Sequence, residues 1–158
     1  MLGRSTKTRV AKGSRRLGHD YLHAAVDDHS RVAYVEPLVD QRGETCAGFM
    51  ERAIEFFASC GVRVEAVMTD EAKNYTVSGA FAAVLAARGI HHQTTGPYRP
   101  RIIGKVERFL RTMLEEWAYV RLYRSNAARL RTLRGWVHRY NLRRPHTALG
   151  GKPPASRL

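Results

Sequence analysis

Residues 21–35 read YLHAAVDDHSRVAYV, two short apolar runs on either side of a polar turn. The runs at 21–26 and 32–35 have the length and the β-branched and aromatic content that are typical of strands. Asp and Ser within residues 27–30 are residues that favour turns. The pattern therefore predicts two antiparallel strands joined as a hairpin.

The chain that follows the hairpin alternates between helix and strand patterns. Apolar side chains recur three and four positions apart over residues 43–60, which predicts an amphipathic helix. Residues 62–69 alternate between apolar and polar side chains, which predicts a strand that ends just before Asp70. Residues 78–89 then predict a helix with Ser at its start and Gly at its end, and residues 90–95 predict another short strand.

The C-terminal third predicts two more helices and an irregular tail. The first helix includes residues 106–117, which show a stripe of large apolar side chains, and the second spans residues 126–140. Residues 143–154 contain too much Pro and Gly for regular structure. The order of strands and helices predicts an α/β fold, in which helices pack on a mixed sheet and a helical extension follows.

The charge of the chain is uneven along its length. The 158 residues have a net charge of +13, and the six basic residues of 1–18 have no acid among them. Residues 19–98 contain eleven acids and six bases, whereas residues 99–158 contain fifteen bases and three acids. A near-neutral core with cationic ends favours a polyanionic partner, most often nucleic acid. A solvated basic surface is the alternative, and charge alone does not separate the two.

Several classes of protein do not fit the sequence. No apolar run reaches the length of about 18 residues that a membrane span needs, so we expect no membrane association. No apolar segment follows the basic N-terminus, so it does not match a secretory signal. The two cysteines, Cys46 and Cys60, form neither a disulfide framework nor a zinc-finger spacing. These features favour a reduced, cytoplasmic compartment.

Two acidic residues occupy positions at which carboxylates often meet. Asp70 ends a predicted buried strand, and Glu107 lies in the first turns of a predicted long helix. Converging carboxylates bind Mg²⁺, which prefers oxygen ligands, and paired metal ions act on phosphodiesters. The structural alternative is that Asp70 caps a loop and Glu107 pairs with Arg111 one helical turn further on.

Four segments around these acids together resemble a known family. They are residues 21–31, Val-Met-Thr-Asp at 67–70, the Pro-Tyr-Arg-Pro and Gly-Lys-Val-Glu-Arg-Phe motifs within 97–109, and residues 136–150, which contain Arg-Pro-His-Thr-Ala-Leu-Gly. In order and spacing they are similar to the integrase-like D-D-E transposases of bacterial insertion sequences, relatives of the retroviral integrase core. The resemblance covers nearly all of residues 19–158.

The resemblance implies a ribonuclease H-like fold and a metal-dependent reaction on DNA. Asp70 corresponds to the second catalytic aspartate of the family and Glu107 to its catalytic glutamate, and both would be ligands of Mg²⁺ or Mn²⁺. In the family, two metal ions let water cleave a phosphodiester, and the freed 3′ hydroxyl then attacks target DNA. DNA contacts are expected from basic residues near Glu107 and in the C-terminal part: Arg99, Arg101, Lys105, Arg108, Arg111, Arg139, Arg143 and Arg144.

The chain also departs from the family pattern. The first catalytic aspartate of the family lies on the first strand, and residues 1–18 contain neither Asp nor Glu. We therefore expect that this strand and its acid are missing, that the chain is truncated at its N-terminus, and that metal binding is weak or absent. The family places Asn at the positions of Glu71 and Ile103, and Ile has no amide to bond with substrate.

These observations lead to a domain division and two functional hypotheses. Residues 1–18 are expected to form a disordered basic leader, 19–122 an incomplete integrase-type catalytic core, and 123–158 a C-terminal helix with a basic Pro- and Gly-rich tail. The first hypothesis is an inactive transposase catalytic-core fragment, associated with the bacterial nucleoid. The alternative is a non-enzymatic DNA-binding remnant that modulates intact transposase through homo-oligomers or mixed oligomers. Binding to RNA or another polyanion is a third interpretation, which no aromatic stacking motif supports.

Overall fold

The structure is a computed structural model that describes residues 2–7, 21–95 and 100–158. Within this part of the chain, five strands form one mixed sheet in the order β3-β2-β1-β4-β5. Strand β1 pairs antiparallel with β2 and parallel with β4, β2 pairs antiparallel with β3, and β4 pairs parallel with β5. The strands are β1 (Leu2–Lys7), β2 (Tyr21–Val26), β3 (Ala33–Leu38), β4 (Ala66–Thr69) and β5 (His91–Thr94).

Strand β1 corrects the expectation that the first strand of the sheet is missing. All six of its residues pair with β2, from Leu2 opposite Val26 to Lys7 opposite Tyr21. Gly, Ser and two basic residues make this segment a poor strand by intrinsic propensity. It is a strand because β2 and β4 supply hydrogen-bonding neighbours on both sides, which local sequence does not reveal. Residues 1 and 8–18 of the predicted leader, and residues 19–20 of the predicted core, lie outside the described residues.

Helices cover both faces of the sheet. No helix within the described ranges has the length and apolar character that crossing a membrane requires. Helix α4 continues into a π-helical turn at Leu114–Ala118, and two 3₁₀ turns, at Thr147–Leu149 and Pro154–Arg157, follow the last helix. The α-helices are α1 (Gly43–Ser59), α2 (Lys73–Thr76), α3 (Gly79–Ala86), α4 (Pro100–Met113), α5 (Asn126–Leu130) and α6 (Leu133–Arg143).

Strand β2 is buried on both faces, which explains why its sequence is a continuous apolar run. Ala25 packs on one side with Phe49 and Phe57 of α1. A strand covered on both sides does not show the polar and apolar alternation of a half-exposed strand. On the other side, α4, its π turn and α6 form a second core layer with β2, which includes Leu22, Ala24, Val26, Phe109, Met113, Trp117, Trp136 and Tyr140.

An asparagine joins the C-terminal helix to the edge of the sheet. The Asn141 side chain accepts a hydrogen bond from the Ala33 N–H at 2.9 Å and donates one to the Ala33 carbonyl at 2.8 Å. Both residues are buried, so the amide satisfies two backbone groups that strand pairing leaves unbonded. Helix α6 is therefore held against β3 by specific bonds in addition to apolar packing.

Several predicted elements are present with changed boundaries. Ser78 caps α3 by accepting a hydrogen bond from the Phe81 N–H at 3.2 Å, as the sequence predicts. The predicted strand over residues 62–69 is shorter, since β4 begins at Ala66. The predicted helix over residues 126–140 is divided into α5 and α6, and the tail contains two 3₁₀ turns.

Candidate functional site

Asp70 follows β4 directly, at the C-terminal end of an interior strand that lies between β1 and β5. Its side chain is half-buried, and its Oδ1 accepts a hydrogen bond from the Ala72 N–H at 3.2 Å. This bond forms a turn at the end of the strand. The loop-capping role that the sequence left open for Asp70 is therefore present, and it uses one of the two carboxylate oxygens.

The backbone before Asp70 is fixed by Thr69 and His92. The buried Thr69 hydroxyl donates to the Asp70 carbonyl at 2.9 Å and lies 2.9 Å from His92 Nε2. Burial lowers the pKa of His92, which favours the neutral imidazole beside the hydroxyl. The Thr95 N–H also donates to the Thr69 carbonyl, at 3.0 Å. These bonds hold the end of β4, and with it Asp70, against β5.

Glu107 is the eighth residue of α4, in its third turn and not in the first turns as the sequence predicts. Its side chain is exposed, while its neighbours Val106, Phe109 and Leu110 are at most 4% exposed. Burial of these three side chains fixes the rotation of α4 on the sheet. The helix contacts β1 and β2, and β1 pairs with β4. The helix of Glu107 and the strand that precedes Asp70 therefore share β1 as a neighbour.

Strand β1 occupies the place from which a third carboxylate would be expected, but it contains no acidic residue. Gly3 lies opposite Thr69 in the parallel pair, so Arg4 stands level with Asp70. The same Arg4 lies opposite Ala24 in the antiparallel pair with β2. Among the described residues, no group of three His, Cys, Asp or Glu side chains could hold a metal ion.

The structure separates the predicted DNA-contact residues into two groups. Lys105, Arg108 and Arg144 line one cavity of about 560 Å³. Arg111, Arg139 and Arg143 are exposed and do not line it. Arg101 lies in the first turn of α4, and Arg99 lies outside the described residues.

Lys105 and Arg144 have carboxylate partners at the edge of the cavity. Lys105 Nζ lies 2.5 Å from Asp28 Oδ1, which joins α4 to the hairpin turn. Arg144 makes hydrogen bonds of 2.9 Å and 3.1 Å from its Nε to the two oxygens of Glu116. These contacts link the turn, α4 and the segment after α6 into one basic surface.

Two further residues of this cavity, Arg31 and His146, are not predicted as DNA contacts by the sequence. Both belong to motifs that were recognised, the hairpin turn and the Arg-Pro-His segment. Arg31 ends the segment 21–31 that resembles the family, and it adopts a left-handed conformation with φ of 71°. Their proximity arises from folding, because 115 positions separate them in the chain and no local pattern relates them.

The order of the strands and the helices that pack on both faces of the sheet define a ribonuclease H-like fold of the integrase type. The chain belongs to the integrase core domain family. One family model described as integrase core domain matches residues 6–100, more than half of the chain, and a second with the same description matches residues 88–154. The two matches overlap and together include Asp70 and Glu107.

Solved structures of retroviral integrases have the same fold. The HTLV-2 integrase catalytic core domain in complex with magnesium matches with a TM-score of 0.77 and 17% identity, covering 99% of this chain and 93% of that one. The BIV integrase catalytic core domain matches with a TM-score of 0.69 and 18% identity, covering 98% and 91%. These identities establish similarity of fold.

A longer chain from a viral intasome also contains a domain of the same fold. A chain of the simian T-cell lymphotropic virus intasome, solved in complex with PP2A regulatory subunit B56 gamma, matches with a TM-score of 0.77 and 20% identity. The match covers 99% of this protein and 52% of the viral chain. This protein therefore spans about half the length of that integrase.

Proposed function

We propose that this integrase core binds DNA but does not cleave it by itself. The observation that supports the proposal best is the composition of β1, which lies level with Asp70 and contains no carboxylate. Asp70 and Glu107 correspond to two acids of a three-acid site. The reaction in question is metal-dependent phosphodiester cleavage followed by strand transfer.

The donor set does not fit a pair of catalytic metal ions. Mg²⁺ takes about six oxygen ligands in near-octahedral geometry, and a two-metal site shares carboxylates between the ions. Asp70 already uses one oxygen for the bond from the Ala72 N–H. Together with Glu107 it supplies too few fixed oxygens, so we expect weak binding of Mg²⁺ or Mn²⁺ and no productive site.

The basic surface supports DNA as the ligand. The chain has a net charge of +13, and Lys105, Arg108 and Arg144 line one cavity beside the helix that contains Glu107. Lys and Arg side chains that neutralise phosphates release counterions, so the affinity falls steeply with salt. Association with the bacterial nucleoid would follow from the same charge.

Oligomers form a second part of the proposal. The HTLV-2 integrase catalytic core has been solved in dimeric and trimeric forms. We expect this chain to assemble with itself or with an intact transposase. In a mixed oligomer, the inactive chain would reduce the activity of the transposase. Size-exclusion chromatography with light scattering tests self-association, and mixing with an intact relative tests inhibition.

The experiment that tests cleavage is nicking of supercoiled plasmid in Mg²⁺ or Mn²⁺, with Glu107→Gln as the matched variant. We expect no nicking from either protein, while both stay folded by circular dichroism and both bind DNA with affinity that falls steeply with salt. Metal-dependent nicking that Glu107→Gln abolishes would show that a working site assembles without the third acid. If neither protein binds DNA at low salt, the proposal that this chain binds DNA is wrong.

A further inference from the structure

The cavity between α4, the hairpin turn and the end of α6 has an unusual charge. Five of its lining residues are basic or imidazole side chains, and no Asp or Glu is among the residues that line it. They come from three separate parts of the chain: the turn after β2, the middle of α4 and the segment that follows α6. The five residues, here called the basic cleft, are Arg31, Lys105, Arg108, Arg144 and His146.

The acids at the edge of the basic cleft do not neutralise it. Asp28 lies near both Lys105 and Arg31, at 2.5 Å and 3.4 Å, and Glu116 pairs with Arg144 at 2.7 Å. Two carboxylates therefore face four cations, which leaves a net charge of +2 before His146 is counted. Cations gathered in a concave surface raise the local concentration of anions.

His146, which lines this cleft, has a ring nitrogen without a hydrogen-bond partner. Its Nε2 is buried and has no hydrogen-bond partner, although a buried polar atom without a partner is unfavourable. The ring packs edge-on against Tyr140, with centroids 5.0 Å apart. An imidazole N–H that lacks a partner inside a cationic cavity is suited to donate to an anion.

The backbone holds His146 in place before any ligand arrives. Its N–H donates to the Lys152 carbonyl at 3.1 Å, and its carbonyl accepts from the Gly151 N–H at 2.8 Å. Gly150 and Gly151 have φ values of 64° and 80°, which glycine adopts without strain. A preformed segment loses little conformational entropy on binding, which favours affinity.

The donors match the geometry of a phosphate group. Arg presents a planar fork of N–H groups to phosphate oxygens, and Lys supplies a compact point charge. Thr112 and Thr147 also line the cavity and provide hydroxyl groups. The volume of about 560 Å³ exceeds that of a phosphate alone, so the cleft has room for the sugars on either side.

The basic cleft and the predicted catalytic acid lie on different faces of α4. Lys105 and Arg108 flank Glu107 in α4, and 100° separates successive residues around a helix of 3.6 residues per turn. Glu107 is therefore about 160° from Lys105 and about 100° from Arg108 around α4, whereas Lys105 and Arg108 are only about 60° apart and share the face that lines the cleft. Solvated basic residues scattered over a surface would not converge in this way.

We propose that the basic cleft binds one phosphodiester group of the DNA backbone and that His146 Nε2 donates a hydrogen bond to it. This inference rests on the proposed function, since it identifies where the DNA is held. Neither base identity nor a metal ion enters the interaction, because phosphate contacts position DNA without reading its sequence.

The cleft also makes DNA binding dependent on pH. Burial and the charges of Arg144 and Arg31 lower the pKa of His146, and the Glu116 carboxylate opposes them weakly. Lys105, Arg108 and Tyr140 also face the ring or the cavity. A bound phosphate favours the imidazolium, so the pKa of His146 rises in the complex and affinity increases as the pH falls.

The test measures fluorescence anisotropy of a labelled DNA duplex as a function of salt and pH. Arg108→Gln removes one exposed cleft cation, and Arg131→Gln removes an exposed cation outside the cleft, so the two variants have equal net charge. We expect Arg108→Gln to raise Kd about three- to tenfold near 0.1 M salt and to reduce the salt slope by about 1. Arg131→Gln should stay within about twofold of the parent protein.

His146→Gln gives a second readout that a purely structural role would not change. We expect this variant to lose the increase in affinity between pH 8 and pH 5.5 while its thermal unfolding stays close to that of the parent. NMR titration of the His146 ring measures its pKa directly, with the DNA duplex and with inorganic phosphate as separate probes. The duplex should raise this pKa at concentrations at which inorganic phosphate does not.

The outcomes separate the two proposals. If the protein binds DNA but Arg108→Gln matches Arg131→Gln and the His146 pKa does not move, the cleft proposal is wrong and the DNA-binding proposal stands. If inorganic phosphate alone shifts the His146 pKa as much as DNA does, the ligand is a free anion and the DNA assignment of the cleft is wrong. If the parent protein does not bind DNA, both proposals fail.

Discussion

The amide of Asn141 provides the sharpest test of how the C-terminal helix is attached. Asn141→Leu keeps the number of side-chain heavy atoms and the branching at Cγ, so it removes two hydrogen bonds without shortening the side chain. Those bonds join the side chain to the N–H and the carbonyl of Ala33, at 2.9 Å and 2.8 Å. Ala33 is fully buried, so water does not replace the lost partners.

The magnitude follows from the cost of leaving buried groups unpaired. An intramolecular hydrogen bond contributes about 1 kcal/mol, and a buried donor or acceptor without a partner costs about 1–3 kcal/mol. Two such groups give an expected loss of about 2–6 kcal/mol, reduced by whatever Leu gains in apolar contact. For a chain of this size, about 3 kcal/mol corresponds to a fall in Tm of roughly 6–12 °C.

The assay is chemical denaturation followed by tryptophan fluorescence. Trp117 and Trp136 are buried in the core that α6 completes, so both report on its loss. Leu142→Ala, at the next position of the helix, is the control, because that side chain is 47% exposed and its loss should change stability by about 0.5 kcal/mol or less. An unfolding free energy for Asn141→Leu within 1 kcal/mol of the parent would refute the argument that this amide holds β3.

Three further predictions concern other parts of the chain. Arg4→Asp places a carboxylate in β1 level with Asp70, so it should increase Mn²⁺-dependent plasmid nicking. Unchanged nicking would contradict the proposal that the missing carboxylate causes inactivity. Burial lowers the pKa of His23, so the folded protein binds this proton less readily than the unfolded chain. Stability should therefore fall as the pH drops below about 6.5, by at most about 1.4 kcal/mol per pH unit for this group. Denaturation curves for His23→Gln should show a smaller slope with pH, and an identical slope would exclude His23 as the source. Gly43→Ala should destabilise by about 1–3 kcal/mol, because its Cβ would overlap the Ser78 side chain, whereas Gly79→Ala has open space and should be neutral or stabilising. Equal Tm values for the two glycine variants would contradict this packing.

Residues 21–35, together with the stripes and caps of the helices, determined much of the architecture from sequence alone. Hydrophobic periodicity and turn chemistry act over a few positions, so they predict the hairpin, α1, α3 and α4 directly. Short sequence motifs, Val-Met-Thr-Asp ending at Asp70 and Gly-Lys-Val-Glu ending at Glu107, indicated the integrase family. The catalytic roles of these two acids stay predictions.

The tertiary structure decided what depends on distant neighbours. Strand β1 forms from a segment of low strand propensity because β2 and β4 complete its hydrogen bonds. Asn141 reaches Ala33 across 108 positions. Arg31 and His146 meet in one cleft only because α4 lies between the hairpin and the end of α6. Hydrophobic periodicity indicates which residues of one helix or strand are buried. Which distant residue each of them contacts is decided only when the sheet and the helices pack together.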